Sequence, residues 1–215
     1  MAFAGIVFDL DGTLVDSERV SQDAGIVAFS RFGMNVDLAY MLELVGHDWA
    51  HCQKVLEKDF GQQDFESVAK TWRAEVAARR DKMVAKSGAV EALSMLKAMG
   101  IPIGIATSSR QAAASFKLAH CGLSTLVDVV VAREDVQRAK PDAKPFIAAA
   151  NLLGVPANSC LGVEDSHTGV AWALAAKMTV LQVPDLMPPV GSAHFVADDL
   201  LSGLKLAGVD LAESV

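Results

Sequence analysis

The sequence predicts an α/β protein, with a doubly wound parallel-sheet core and an all-helical module inserted after the first strand. Three observations predict it. Ile6-Val7-Phe8 is apolar throughout, as a strand covered on both faces is. Between residues 18 and 82 strand signal all but disappears. Beyond Gly88 short branched apolar runs alternate with segments of helical period, and strand then helix, repeated, means parallel pairing through right-handed crossovers.

The first strand runs directly into Asp9-Leu10-Asp11-Gly12-Thr13-Leu14. An open α/β sheet keeps its ligand site at the carboxyl ends of its strands, and Gly12 lets the chain turn away there. Asp9 and Asp11 are two residues apart, so in an extended segment they face the same way. Like charges so placed repel unless a cation lies between them or one holds a proton. Asp-Gly alone argues only for a polar turn; the whole stretch argues for a site.

Residues 18–33 place Val20, Ala24, Val27, Ala28 and Phe29 at helical spacing and end at Gly33. Leu38 to Val45 reads as a short helix closed by Gly46, and Asp48 as the cap of a helix through Phe60. Asp64 to Met83 reads as a long helix with Phe65, Val68, Ala69, Trp72 and Val76 on one face. The blander alternative is four helices that merely extend the core. Gly88 to Gly100 follows as a helix burying Val90, Leu93, Leu96 and Met99, and Ile103-Gly104-Ile105-Ala106 as the second strand. Thr107-Ser108-Ser109-Arg110 comes next, then a helix through His120, a strand at Val127–Val131 and the dipeptide Lys140-Pro141. A helix from Pro145 to Leu153 leads to the strand Cys160-Leu161-Gly162-Val163, which ends in Glu164-Asp165-Ser166. A helix at Val170–Ala176, a strand at Thr179–Val183 and a last strand and helix near Phe195–Leu206 complete the alternation. The core thus takes residues 1–16 and 83–215, and the helical module 17–82.

A chain of 215 residues holds one sizeable core and a small second module. It is 52% hydrophobic and 21% charged, an ordinary globular balance, and its formal net charge of −7 offers no polybasic patch for nucleic acid or an acidic membrane. Cys52, Cys121 and Cys160 are too few and too scattered for a disulfide framework or a zinc site. With no signal peptide in view, they read as reduced thiols in a cytoplasm. No apolar stretch reaches the roughly 20 residues a spanning helix needs.

Asp9-Leu10-Asp11-Gly12-Thr13-Leu14-Val15-Asp16-Ser17 resembles the first motif of the haloacid dehalogenase-like hydrolases, most of which are magnesium-dependent phosphatases. The resemblance implies a Rossmann-like core and a helical cap, with Asp9 as the nucleophile that takes the phosphoryl group and Asp11 as general acid and base. The spacing suits that chemistry. A carboxylate attacks phosphorus only when both negative charges are offset, and a second carboxyl must protonate the leaving oxygen and then deprotonate water. Thr107-Ser108 resembles the second motif, with the Thr107 hydroxyl and the Ser108 amide on a phosphoryl oxygen. Lys140-Pro141 lies where the family keeps its third motif, and one ammonium there would neutralise both Asp9 and the incoming phosphoryl group. Many relatives read Lys-Pro-x-Pro-Asp; this chain reads Lys140-Pro141-Asp142-Ala143-Lys144. By resemblance the carboxylates of Asp9 and Asp165 and the Asp11 carbonyl would hold Mg2+, with Glu164 a ligand or the partner of one. Hard magnesium wants such oxygens.

His167, beside the acidic pair, reads as a helix start. His47 and His51 have a spacing that can present two metal ligands, yet no third ligand is near in sequence, so a solvated or substrate-facing pair fits better. Trp49 and Arg110 could line an entrance, and plain surface or packing fits each of them at least as well. The substrate class is a small phosphorylated metabolite. A sugar phosphomutase is the rival, since it shares the four motifs. Such mutases often carry a cap arginine after a glycine, and Gly46-His47-Asp48-Trp49-Ala50-His51 has none. A haloacid dehalogenase, which lacks the second acidic residue, and a non-catalytic binding module fit less well, because both Asp9 and Asp11 are present.

Overall fold

The computed structural model describes residues 3–45, 49–136 and 142–211. The chain divides into two compact units, Met1–Asp16 with Val84–Val215, and Ser17–Met83.

In the larger unit β1 (Gly5–Phe8) is central and wholly buried. It is followed by β2 (Val15–Asp16), β3 (Val84–Ala85), α5 (Ala89–Ala98), β4 (Ile103–Ala106), α6 (Gln111–His120) and β5 (Val129–Val131). Then come α7 (Lys144–Leu152), β6 (Cys160–Glu164), α8 (His167–Ala175), β7 (Thr179–Gln182), β8 (Phe195–Val196) and α9 (Leu200–Leu206). Among the described residues the main sheet has the order β5-β4-β1-β6-β7-β8, and every pairing in it is parallel. The chain leaves β1 for β4 and β5 on one side and later fills the other side with β6 and β7. The order therefore reverses at β1, and the crevice beyond the ends of β1, β4 and β6 is where such sheets bind ligands. Val7, Val131, Val180, Phe146, Ala149 and Ala173 share one buried core, formed where α7 and α8 cover the sheet. The fold class is the α/β Rossmann-like one that the alternation predicts.

Two details differ from the sequence reading. Val15–Asp16 and Val84–Ala85 pair antiparallel, Val15 opposite Ala85 and Asp16 opposite Val84, so the chain leaves and re-enters the core along one small ribbon. In α5 the buried stripe is Ala89, Ala92, Leu93 and Leu96, while Val90 is exposed and Met99 half-buried. The helix begins just behind Gly88, and that start turns Val90 out of the stripe by one residue's rotation.

The smaller unit contains α1 (Glu18–Ser30), α2 (Leu38–Glu43), α3 (Trp49–Phe60) and α4 (Phe65–Ala78), with a short 3₁₀ turn at Arg80–Lys82. Its core joins Ala28, Phe29, Met41, Leu56, Phe65 and Val68. Trp72 packs edge-on against Phe29 at 5.3 Å between ring centres and donates its Nε1–H to the Ser21 carbonyl at 2.8 Å. Gly25 is required where α1 meets its neighbours: a Cβ there would lie 2.4 Å from Cε of Met41. Asp37 and Asp64 cap α2 and α4 through the Tyr40 and Ser67 amides. The long helix predicted to Met83 ends at Ala78, and Glu75, rather than Val76, is its buried residue there. A hydrogen bond from Arg79, with Arg31 beside it, holds the Glu75 carboxyl below the usual glutamate range.

Candidate active site

The site is assembled at the carboxyl ends of β1, β4 and β6. Asp9 follows β1 directly, is buried, and donates its backbone N–H to the Val163 carbonyl at 2.9 Å. Beyond it the chain closes a tight loop, in which the amides of Leu14 and Val15 donate to the Leu10 carbonyl at 3.0 and 2.9 Å. Gly12 makes this loop possible twice over. Its φ is +84°, a region L side chains avoid, and a Cβ there would lie 2.4 Å from Oδ2 of Asp165.

The two aspartates keep different company. Asp9, Glu164 and Asp165 offer carboxylate oxygens that all lie within 4.8 Å of one another. Three like charges this close repel unless a cation lies among them or one holds a proton, and an all-oxygen donor set is one that could hold a hard metal ion. Glu164 is the last residue of β6 and fully buried, and its Oε2 accepts from the Ser166 hydroxyl at 3.2 Å. It has room only because α8 has a glycine at 169, where a Cβ would fall 1.9 Å from Cδ of Glu164. Asp165 accepts from the Thr13 hydroxyl at 3.3 Å, and its carbonyl accepts from Nε2 of Gln182 at 3.0 Å. Gln182 is fully buried and takes the Val190 amide on its other end at 2.9 Å. The acidic group is therefore braced from β7 as well as from β6.

Asp11 is gripped on its other side by the segment after β4. Its Oδ2 accepts from the Ser109 hydroxyl at 2.7 Å, with the Thr107 hydroxyl at 3.5 Å. Its Oδ1 takes the Lys117 ammonium. Thr107 is buried and accepts the Ser109 amide on its own Oγ1 at 3.0 Å, which fixes the turn into α6.

Of the residues singled out in the sequence, Asp9, Glu164 and Asp165 come together, and Thr107 comes to Asp11. The Ser108 side chain is exposed; the neighbouring Ser109 reaches the site with its hydroxyl. Lys140, with Pro141, lies outside the described residues, as do His47 and Asp48. His167 begins α8, and its Nε2 is 2.6 Å from the Pro188 carbonyl. The sequence reading passed over Thr13, Ser109, Lys117, Gly169 and Gln182. Only Thr13 and Ser109 carried a signal, each a hydroxyl inside a motif already singled out.

Comparison with known proteins shows the family. A sequence model of the family described as haloacid dehalogenase-like hydrolase matches residues 6–183. The chain is 29% identical over 184 residues to the fructose-1-phosphate phosphatase of Escherichia coli, covering 84% of this chain and 96% of that protein. It is 32% identical over 187 residues to hexitol phosphatase A of the same organism, covering 85% and 84%. A crystal structure of a hydrolase of this family from Deinococcus radiodurans, with bound phosphate and sodium, superposes with a TM-score of 0.84 at 26% identity, over 100% of this chain and 99% of that one.

Proposed function

The chain belongs to the haloacid dehalogenase-like hydrolases, and from that premise we propose a magnesium-dependent phosphatase acting on a small phosphorylated metabolite, a sugar phosphate or one like it. The observation that carries this reading is the division of labour between two carboxylates. Asp9 is buried against Glu164 and Asp165, and Asp11 is held apart by hydroxyls and an ammonium. In this reading the first attacks and the second handles a proton.

The Asp9 carboxylate attacks phosphorus as the bond to the leaving oxygen breaks, and an aspartyl-phosphate forms on Asp9. Asp11 gives the leaving oxygen its proton, then takes one from the water that attacks the aspartyl-phosphate and returns Asp9 with inorganic phosphate. The Thr107 hydroxyl and the Ser108 amide would donate to phosphoryl oxygens. Lys140 would offset the charge of Asp9 and phosphate together. The carboxylates of Asp9 and Asp165 and the Asp11 carbonyl would hold magnesium, with Glu164 a ligand or the support of one. When bound, the ion supplies the positive charge that lets a carboxylate approach a phosphate. Gly169→Ala tests this ligand set, because the added methyl must displace the Glu164 carboxylate. The magnesium concentration giving half-maximal rate should rise about 10–100-fold, as when groups supporting metal ligands are disturbed. An unchanged magnesium titration would remove Glu164 from the ion's surroundings.

The Ser17–Met83 unit serves in this reading as a cap that selects the substrate. Trp49 packs against the core of that unit, 6.0 Å from Trp72 between ring centres. Two of the similar proteins are named for sugar or hexitol phosphates, which points to the same substrate class. Among the described residues no helix is long and apolar enough to cross a membrane. Cys121 and Cys160 have thiols that burial pushes up, so neither is a ready thiolate, and a reducing cytoplasm suits them.

The rival is a phosphomutase, in which a free hydroxyl of the substrate takes the phosphoryl group from the aspartyl-phosphate, and the resulting bisphosphate turns over and gives its other phosphoryl group back to Asp9. Gripping the far phosphate during that turn calls for a charge-assisted fork such as arginine supplies. Residues 46–51 have imidazoles, a carboxylate and an indole instead, and Asp48 would repel a second phosphate nearby. Phosphate release should be measured on fructose 1-phosphate, hexitol phosphates and a hexose 1-phosphate, the last also with a trace of the matching bisphosphate. Free phosphate should accumulate without the bisphosphate. Faster accumulation of the 6-phosphate isomer would make the chain a mutase.

A further inference from the structure

We propose that Lys117 is a positioning residue: together with Ser109 it holds the Asp11 carboxyl in the one orientation from which a proton can reach the leaving oxygen. This rests on the phosphatase reading and adds to it a residue from outside the four motifs.

Lys117 lies two turns into α6, 8 residues beyond Ser109 and outside the motifs read in the sequence. Side chains on a helix lean towards its N-terminus, so the Lys117 stem can run back along α6 towards the loop after β4. It does so beside Ala114 and Leu118, the buried stripe of that helix. Its side chain is only 11% exposed, whereas a lysine without a task keeps its ammonium in water. The ammonium donates to Oδ1 of Asp11 and, at 2.8 Å, to Oγ of Ser109. The Ser109 hydroxyl in turn donates a hydrogen bond to Oδ2 of Asp11 at 2.7 Å. Each oxygen of the Asp11 carboxyl thus has its own donor, and the two donors are bonded to each other. A carboxyl held at both ends by linked groups has one orientation left. Lys117 transfers no proton in this scheme and forms no bond to substrate; it acts through Asp11.

The test uses leaving groups of different need. A nitrophenolate departs without a proton, and a sugar alkoxide does not. Lys117→Met and Lys117→Gln are therefore compared with the unaltered chain on para-nitrophenyl phosphate and on fructose 1-phosphate, or whichever sugar phosphate the screen finds fastest. On the sugar phosphate kcat/KM, which reports the steps up to formation of the aspartyl-phosphate, should fall about 10–100-fold, the cost of a misplaced acid. On the nitrophenyl ester most of kcat/KM should remain, because its leaving group needs no acid; kcat is not the quantity compared, since it includes the hydrolysis of the aspartyl-phosphate that both esters share. Lys117→Arg should recover much of the loss, and thermal midpoints should stay together across the series. In an Asp11→Asn background Lys117→Met should cost little more, because the group it orients has lost its function. Equal losses of kcat/KM on both esters, or no loss of it in a sugar phosphatase that is otherwise active, would each overturn the role of Lys117 alone. An unaltered chain that turns over neither ester overturns the phosphatase reading, and the role of Lys117 with it.

Discussion

Replacing Asp9 by asparagine should abolish turnover while leaving the protein folded. The amide oxygen carries no charge with which to attack phosphorus, and no neighbour in the site takes over. Asp11 is the nearest carboxylate in sequence, yet it is turned to Thr107, Ser109 and Lys117. Glu164 and Asp165 are committed to the acidic group and to the hydroxyls of Ser166 and Thr13. Removing a nucleophile that acts as part of a unit costs about 10⁴-fold or more. The fold should survive because the contribution of Asp9 to the sheet is its backbone N–H to Val163, which the substitution keeps. Relief of repulsion among three carboxylates offsets what the lost charge costs. Phosphate release from the best sugar phosphate, with circular dichroism and a thermal midpoint alongside, checks both halves. A folded Asp9→Asn protein that retains full activity would take the nucleophile's role away from Asp9.

What could be read in the sequence follows from what each feature depends on. β1, β4 and β6 are legible because a strand buried on both faces must be a continuous apolar run, and each is closed by residues that cannot continue it. The ribbon of β2 and β3 is not legible. Two-residue strands carry no period, and their register is set by partners separated by the whole inserted unit. The acidic group is legible because its members sit at the ends of strands, where backbone direction alone aims them. Lys117 is not, since its place at Asp11 comes from a long side chain lying back over its own helix, which no spacing rule encodes. Ser108 and Ser109 are adjacent hydroxyls with equal claims in the sequence. Only the turn made when Thr107 accepts the Ser109 amide decides which hydroxyl faces Asp11. Gln182 becomes meaningful once β7 pairs with β6 and sets it opposite Glu164, so that its amide reaches the Asp165 carbonyl.

Removal of divalent cations should silence the enzyme entirely, and magnesium should restore it. The carboxylate oxygens of buried Asp9 and Glu164 and half-buried Asp165 lie within 4.8 Å of one another, so a cation among them should relieve their repulsion. Asp9 in particular cannot act as a nucleophile towards a phosphate while its own charge and that of its neighbours repel the substrate. The same crowding gives a readout that needs no substrate. A cation that binds the folded chain alone stabilises it by about 2.7 kcal/mol when present at about 100 times its dissociation constant. For a chain of this length that is a rise of several degrees in the thermal midpoint, by roughly 2–4 °C for each kcal/mol. Magnesium should therefore raise the midpoint of the unaltered chain in the absence of any phosphate, and Asp165→Asn should lose most of that rise. Calcium should raise the midpoint too, yet fail to support turnover. Its larger, looser coordination invites both oxygens of Asp9 and so occupies the one that must attack. Activity undiminished in excess chelator would exclude the metal from the reaction. A midpoint indifferent to magnesium would exclude it from the acidic group, whatever the rate.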